Sequence, residues 1–357
     1  MMTEPKEKSP LVKDSSKAEG SALCNCDSKI NNSIVEKQAI SLKNNPEVGI
    51  AISESRTQPM RNTKTLWSVF VLLRCSKPKV STETLKQYLS FPISRQARLK
   101  DVGGFVFGLI RGNDRKSGSV IYRQAVTIDL DYAPIDFWEL FTLLFDVAAV
   151  LYSTRKHSPE LPRFRLVILL DRPVLSDEYE AVSRWLAGQF GIDLCDPTTF
   201  QFNRLMYWPS VCKDSEFIFE YQDGPSLCVD EVLLKYKDWR NCAEWPISKK
   251  VGNAINRQIK EQQDPFTKTG VIGAFCQAYS IPEAIEKFLP KIYLPTTDPN
   301  RYTYAKGSTY GGLIVYEDKF AYSHHGTDPT SGKLCNAFDL VRLHAEDEDF
   351  QLTEGEN

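Results

Sequence analysis

The sequence predicts an α+β fold in two unequal units, and three observations lead to that reading. Strand-like apolar runs alternate with stretches of helical spacing between about residues 61 and 240. A polar, charged stretch then interrupts the pattern over 241–265, and a shorter run of helices followed by strands occupies 266–345. At 357 residues the chain also exceeds the size, about 250 residues, at which a single core usually divides.

With 42% apolar and 25% charged residues, the composition excludes disorder of the whole chain. The net charge of −2 provides no overall basic field, so a nucleic-acid partner would have to be held by local patches. Nine scattered cysteines and a Met-Met-Thr-Glu-Pro start without an apolar secretory run lead to the expectation of a reducing cytoplasm. Cys24 and Cys26 have no second pair at metal-ligand spacing and are expected to be incidental. The longest apolar stretch, Trp138 to Tyr152, is broken by Glu139 and Asp146, so no membrane segment is expected.

Residues 1–60, rich in Lys, Glu, Ser and Asn, are expected to form a disordered arm, and order is expected to begin at the apolar block Leu66 to Leu73. Ser81 to Lys100 is charged and helix-permissive, and the glycines of Asp101 to Gly108 imply a tight turn or a close backbone approach. Ser119 to Asp131 reads as a strand, Asp136 to Val147 as a helix, Val150 to Ser153 and Arg163 to Leu170 as strands, and Asp177 to Phe190 as a helix. Phe202 to Trp208 and Phe217 to Tyr221 follow as strands, with a short helix from Val229 to Tyr236. The linker 241–265 should be a helical connector. The second unit should contain helices near Val271 to Tyr279 and Pro282 to Phe288, then a strand pair around Gly311 to Tyr316 and Phe320 to Ser323. Residues 346–357 form an acidic tail that is expected to fray.

The chemistry concentrates at Asp129 and Asp131. Aspartates at i and i+2 of a strand share one face, roughly 6 to 7 Å apart along it, and together suit a pair of divalent cations. Two ions about 3.5 to 4 Å apart serve nucleotidyl transfer, and hard carboxylate oxygens favour Mg²⁺ or Mn²⁺. An Asp-Leu-Asp at a strand end can equally be an ordinary strand-to-turn junction. A hydroxyl-rich basic segment, Tyr152-Ser153-Thr154-Arg155-Lys156-His157-Ser158, follows one helix and one short strand later. Ser153, Thr154, Arg155, Lys156 and His157 could bind a triphosphate, or could form a solvated loop. Asp196 is the candidate third acid, with a simple Asp-Pro-Thr-Thr turn as its alternative. In the second unit His324, His325, Asp328 and Cys335 allow either a metal site or a hydrogen-bonded turn, the turn being preferred. Gly326 to Lys333 lacks the spacing of a phosphate-binding loop, so no ATPase motor is expected in this chain.

The order of these segments resembles the archaeo-eukaryotic primase superfamily, specifically the primase-polymerase domains fused to virulence-associated-E-type helicases in phages and mobile elements. Ile128-Asp129-Leu130-Asp131 is similar to that superfamily's paired-acid motif, Ser153 to His157 to its Ser-x-His motif, and Cys195-Asp196-Pro197 to its later acidic motif. Further similarity lies in Lys100 to Phe105, Pro162 to Ile168 and Arg204 to Pro209, so that the resemblance covers about residues 61–345. The histidine motif is longer than the tightest form by Arg155 and Lys156, which leaves either Ser153 or Thr154 as the phosphate ligand.

The resemblance implies a primase-polymerase core of mixed sheets flanked by helices over 61–240, followed by a second, smaller α/β domain. It implies a nucleotidyltransferase that adds NTP or dNTP to a 3′-hydroxyl on single-stranded DNA, with Asp129, Asp131 and Asp196 holding two Mg²⁺ or Mn²⁺ ions. Ser153, Thr154, His157, Arg163, Arg165 and Arg204 would bind the nucleotide. A helicase would be a separate polypeptide or a missing C-terminal portion. Two other readings keep the same residues: a non-catalytic DNA-binding or regulatory protein on the primase fold, and a metal-dependent nuclease.

Overall fold

A computed structural model of the protein describes residues 42–354 apart from Ser117, with side chains as far as residue 346. The expectations for residues 1–41, Cys24 and Cys26 among them, and for 355–357 lie outside the described residues. Order begins earlier than expected. Glu47–Ser53 forms β1, with Val48 and Ile50 buried, and pairs antiparallel with β2, Arg61–Leu66. Residues 47–60 therefore do not belong to the expected arm. A seven-residue strand embedded in a polar neighbourhood barely changes the local composition, which is why the boundary was hidden.

Leu66 to Leu73, the expected first apolar block, leads into helix: Trp67–Val69 is α-helical and Phe70–Cys75 continues as a π-helix. Its Trp67, Phe70 and Val71 are buried. After β3, Lys79–Val80, the permissive stretch becomes α1, Leu85–Ser90, and α2, Ile93–Lys100. Strands β4 (Gly104–Val106), β5 (Gly108–Ile110) and β6 (Val120–Leu130) follow. The glycine turn is obligatory: Gly103 has φ +79°, and a Cβ on Gly104 would lie 2.4 Å from the Met206 carbonyl oxygen.

The remaining elements of the first unit are α3 (Phe137–Leu144), β7 (Ala149–Ser153), β8 (Phe164–Val174), α4 (Ser176–Phe190), β9 (Met206–Tyr207), β10 (Ser210–Val211), β11 (Phe219–Gln222) and α5 (Val229–Leu233). The expected strand Phe202 to Trp208 shrinks to β9. Ser176 is the first helical residue of α4, and Glu178 accepts the Leu175 N–H at the helix start.

A five-stranded antiparallel sheet in the order β11-β7-β8-β6-β5 forms the centre. Strand alternation divides its side chains between two cores. Val126, Ile128, Leu130, Leu166, Ile168 and Leu151 pack against Phe137 and Phe141 of α3 and Tyr179, Val182 and Leu186 of α4. On the other side Val150, Tyr152, Val167 and Leu169 join Trp67, Phe70, Phe105 and Phe107, beneath the β2-β1-β4-β9 sheet. Burial on both faces explains why β7 and most of β8 read as continuous apolar runs.

The connector is helical as expected, Lys249–Glu261 forming α6, but it begins later than residue 241, because Cys242 and Trp245 belong to the first core. The second unit contains α7 (Gly270–Ala278) and α8 (Ile281–Phe288), then an antiparallel meander of β12 (Tyr293–Pro295), β13 (Arg301–Tyr304), β14 (Leu313–Tyr316), β15 (Phe320–Ser323) and β16 (Leu334–Cys335). The backbone of the last helix, α9 (Ala337–Glu354), continues through most of the acidic tail, so the expected fraying does not extend over residues 346–354. No described helix is long and apolar enough to cross a membrane.

The two units are joined by hydrogen bonds. Ser308 donates from its backbone N–H and its hydroxyl to Asp177 Oδ2, at 2.9 and 2.7 Å. Tyr310 donates to the Arg240 carbonyl and accepts from the Cys242 N–H. The histidine segment is a hydrogen-bonded turn: His325 Nε2 accepts from the Tyr304 and Gly312 N–H groups, and Asp328 accepts from Thr330 and Tyr293. Among the described residues no three His, Cys, Asp or Glu side chains are grouped so as to hold a metal.

Leu166 is fully buried in β8 between two paired strands. Leu166→Ala should lower the unfolding free energy by about 2 to 5 kcal/mol, the usual cost of a leucine-sized cavity. Urea denaturation checks this, and an unchanged midpoint would contradict the packing described.

Candidate active site

The paired acids sit at the end of β6, where β8 begins. Asp129 lies directly across from Arg165, and their side chains approach to 3.5 Å between Oδ2 and Nη2. Asp131, just past the strand, accepts from Arg163 Nη1 at 2.7 Å. One strand pairing thus provides two carboxylates and two guanidiniums on a common surface. Asp129 is only 7% exposed and Arg165 3%, whereas Asp131 and Arg163 remain partly open to solvent.

The third acid joins them through the backbone. The Asp196 N–H donates to the Asp129 carbonyl at 2.8 Å, and Leu130 bridges to Cys195. Asp196 Oδ1 accepts from the Thr198 N–H and hydroxyl, which is the turn use allowed by its sequence, while Oδ2 pairs with Arg204 Nη2 at 2.9 Å. Thr199 fixes the same junction, because its Oγ1 accepts from the Asp129 N–H and donates to the Thr127 carbonyl. Asp196 is therefore both a turn residue and a neighbour of the pair.

Sequence reasoning did not assign a role to Lys100. It ends α2, where the glycine turn brings it over the Tyr207 ring at 5.2 Å, within the field of Asp129, Asp131, Arg165 and Arg204. Burial and then Arg165 pull its ammonium below the ordinary value, and the two aspartates oppose that shift. The signal was present, since Lys100 opens one of the segments that resembled the primase superfamily. Four cations, Lys100, Arg163, Arg165 and Arg204, thus face three carboxylates, leaving one net positive charge. Burial first, then Asp129, push the Asp131 carboxyl above its ordinary value, with Asp196 adding to the rise and Arg163 and Lys100 opposing it.

The histidine segment forms the loop between β7 and β8. Ser153 is fully buried, and its hydroxyl accepts from the Ile218 N–H, so it anchors the strand end to its neighbour. Thr154 donates its N–H to the Arg163 carbonyl. Arg155 pairs with Glu83 and lies over the Tyr88 ring, so its charge is committed to packing and the expectation that it serves a triphosphate is corrected. His157 Nδ1 accepts from the Arg163 N–H at 3.2 Å, which assigns the ring proton to Nε2. That Nε2 is buried without a hydrogen-bond partner, and burial lowers the ring's pKa, so the imidazole is a neutral donor.

The profile of the VapE N-terminal domain matches residues 33–248, more than half of the chain. The chain belongs to the VapE N-terminal domain family. The virulence-associated-E relationship that its motifs resembled is thus the one found. Among solved structures, the chain is similar to the AEP domain of the cyanophage S-2L primase-polymerase. That match has 11% identity over 58% of this chain and 94% of that one, with a TM-score of 0.31. It is also similar to the primase RepB′, at 10% identity over 73% and 76% respectively, with a TM-score of 0.29. No protein with a curated description matches.

In the unfolded chain the Asp131 carboxyl titrates near 3.9, roughly the free value. Because its value is raised in the fold, folding favours the protonated form, and stability is lost as pH rises through the folded value. Asp131→Asn should therefore be more stable than the parent at neutral pH and lose that advantage as pH falls toward 4. Urea midpoints across that range test the sign; a gap that widens on acidification would contradict it.

Proposed function

We propose that this VapE N-terminal domain is a nucleotidyltransferase of the primase-polymerase type, transferring a nucleotide from NTP or dNTP to a 3′-hydroxyl on single-stranded DNA. One observation carries the reading: three carboxylates and four cations meet at one strand end, and the neutral His157, whose buried N–H has no partner, is tied to Arg163 of that cluster through the arginine's backbone N–H. A triphosphate supplies the negative charge and the acceptor oxygens that this arrangement favours.

In this reading Lys100, Arg163, Arg165 and Arg204 neutralise and orient the phosphates, and His157 Nε2 donates to a phosphate oxygen. Ser153 and Thr154 act by fixing the loop that carries His157. As they stand the three acids are not grouped so as to hold a metal, each being turned to an arginine, but the carboxylate oxygens of Asp129 and Asp131 are the donors that a hard divalent cation takes. Asp129 and Asp131 would hold Mg²⁺ or Mn²⁺, with Asp196 as third acid, and the ions would stabilise charge developing on the transferred phosphoryl group. A helicase motor would act as a partner from another polypeptide or a further portion of the chain.

A second reading has one observation in its favour: every carboxylate of the site is already matched by an arginine. That arrangement would also suit a protein that binds nucleotide or DNA without chemistry.

Primer synthesis and extension on single-stranded DNA with Mg²⁺ or Mn²⁺ separates the two. Asp129→Ala with Asp131→Ala should abolish incorporation, and undiminished product would sink the proposal. DNA binding without incorporation in the parent would favour the second reading. His157→Ala should raise the nucleotide KM roughly 10-fold, the loss of one hydrogen bond to a charged group.

A further inference from the structure

A second basic feature lies beyond Arg204, and the nucleotide reading does not use it. The connection between β1 and β2 and the connection between β5 and β6 are joined by the Met60 N–H, which donates to the Asn113 carbonyl at 2.8 Å. Asn62 adds two bonds to Ile110, donating to its carbonyl and accepting its N–H. Between the connections is a cleft of about 270 Å³, with Arg56, Thr57, Asn113, Arg115, Lys116 and Leu205 in its lining.

The charge in the cleft is locally positive in a chain whose net charge is −2. Arg56, Arg115 and Lys116 face a single acid, Asp114, which lies 3.3 Å from Lys116. Arg56 and Lys116 are exposed, and Arg56 makes no ion pair among the described residues. Arg115 is half-buried and donates to the Asn203 carbonyl at 2.7 Å, immediately before Arg204. Burial, and next the charge of Arg204, depress its guanidinium, which puts the two arginines within each other's field. Arg204, which pairs with Asp196, lies within the field of both Lys100 and Arg115, and Arg115 shares the cleft lining with Arg56 and Lys116. Cations therefore connect the carboxylates to the cleft, with the Asp101 carboxylate accepting the Arg56 backbone N–H beside them.

We infer that this cleft carries the phosphodiester backbone of a nucleic-acid strand leading to or from the carboxylate site. A single phosphate would engage one or two of these cations, whereas a strand with a charge at every nucleotide matches a row of them. The lining offers hydroxyl and amide donors, suited to phosphate oxygens, and no aromatic ring on which a base could stack. Binding here is therefore insensitive to sequence. The inference rests on the nucleotidyltransferase reading for its direction, but its test is separate.

The experiment follows the binding of a labelled, mixed-sequence single-stranded oligodeoxynucleotide to the full chain by fluorescence anisotropy across a salt series. Arg56→Gln with Lys116→Gln should lower affinity for all sequences and reduce the slope of log K against log[salt] by about 1.4, two phosphate contacts at about 0.7 each. Both side chains are exposed, so the fold should persist, and a far-UV spectrum matching the parent establishes that it does. If slope and affinity match the parent, or an acidic peptide of equal charge competes as well as the oligonucleotide, the inference is overturned. A reduced slope in a chain that incorporates no nucleotide would retain the cleft and remove the proposed activity; intact incorporation with an unchanged slope would do the reverse.

Discussion

The pairing of β6 with β8 is the constraint from which the rest of the molecule follows. It sets Asp129 against Arg165 and makes Asp131 a neighbour of Arg163, and the same register sends Ile128, Leu130, Leu166 and Ile168 into the core beneath α3 and α4. A slip of one residue would turn the acids into that core and the leucines toward the site, at the cost of burying unpaired charge. Apolar packing on one face therefore fixes the electrostatics of the other. Thr199 and the backbone of Asp196 then tie a third segment to the same strand end, so the position of the last acid depends on the first.

Much of this was legible because strand and helix periods are local. The runs that became β6, β7, β8 and α4 were readable within a residue or a few of their ends, and the paired acids fell where expected, at the end of a strand. What was hidden depends on distant partners. Strand β1 is short and set among polar residues, and it acquires meaning only when β2 and β4 pair with it. Lys100 reads as one more helical lysine until the turn at Gly103 and Gly104 brings it over Tyr207. Arg155 reads as a free cation until Glu83, 72 positions earlier, claims it. The pairing of Asp129 and Asp131 with arginines could not be read from spacing either, since Arg165 lies on β8 and Arg163 just before it, more than 30 positions from the acids at the end of β6.

The second unit illustrates the same limit. Its helices and one strand pair are periodic and visible, but all five of its strands are only two to four residues long, and β12, β13 and β16 gain their pairing from the meander. Its attachment rests on a buried carboxylate: Asp177, at the start of α4, receives both donors of Ser308. A carboxylate at a helix start would ordinarily stabilise its own first turn; here it serves two units at once. The meander is thus anchored to a helix that packs directly on the central sheet.

The pairing of acids with arginines has a thermodynamic consequence. Asp131 and Arg163 each occupy the other's binding capacity, and Asp196 and Arg204 do the same. An anion that draws Arg163 away leaves an unsatisfied carboxylate, and a cation that engages Asp131 leaves an unsatisfied guanidinium. Each ligand removes the competitor of the other, so the two affinities must rise together by the same factor. Such a site keeps its acids paired in the absence of ligands and would respond sharply only when both kinds of charge arrive together, acting as a coincidence detector built from internal ion pairs.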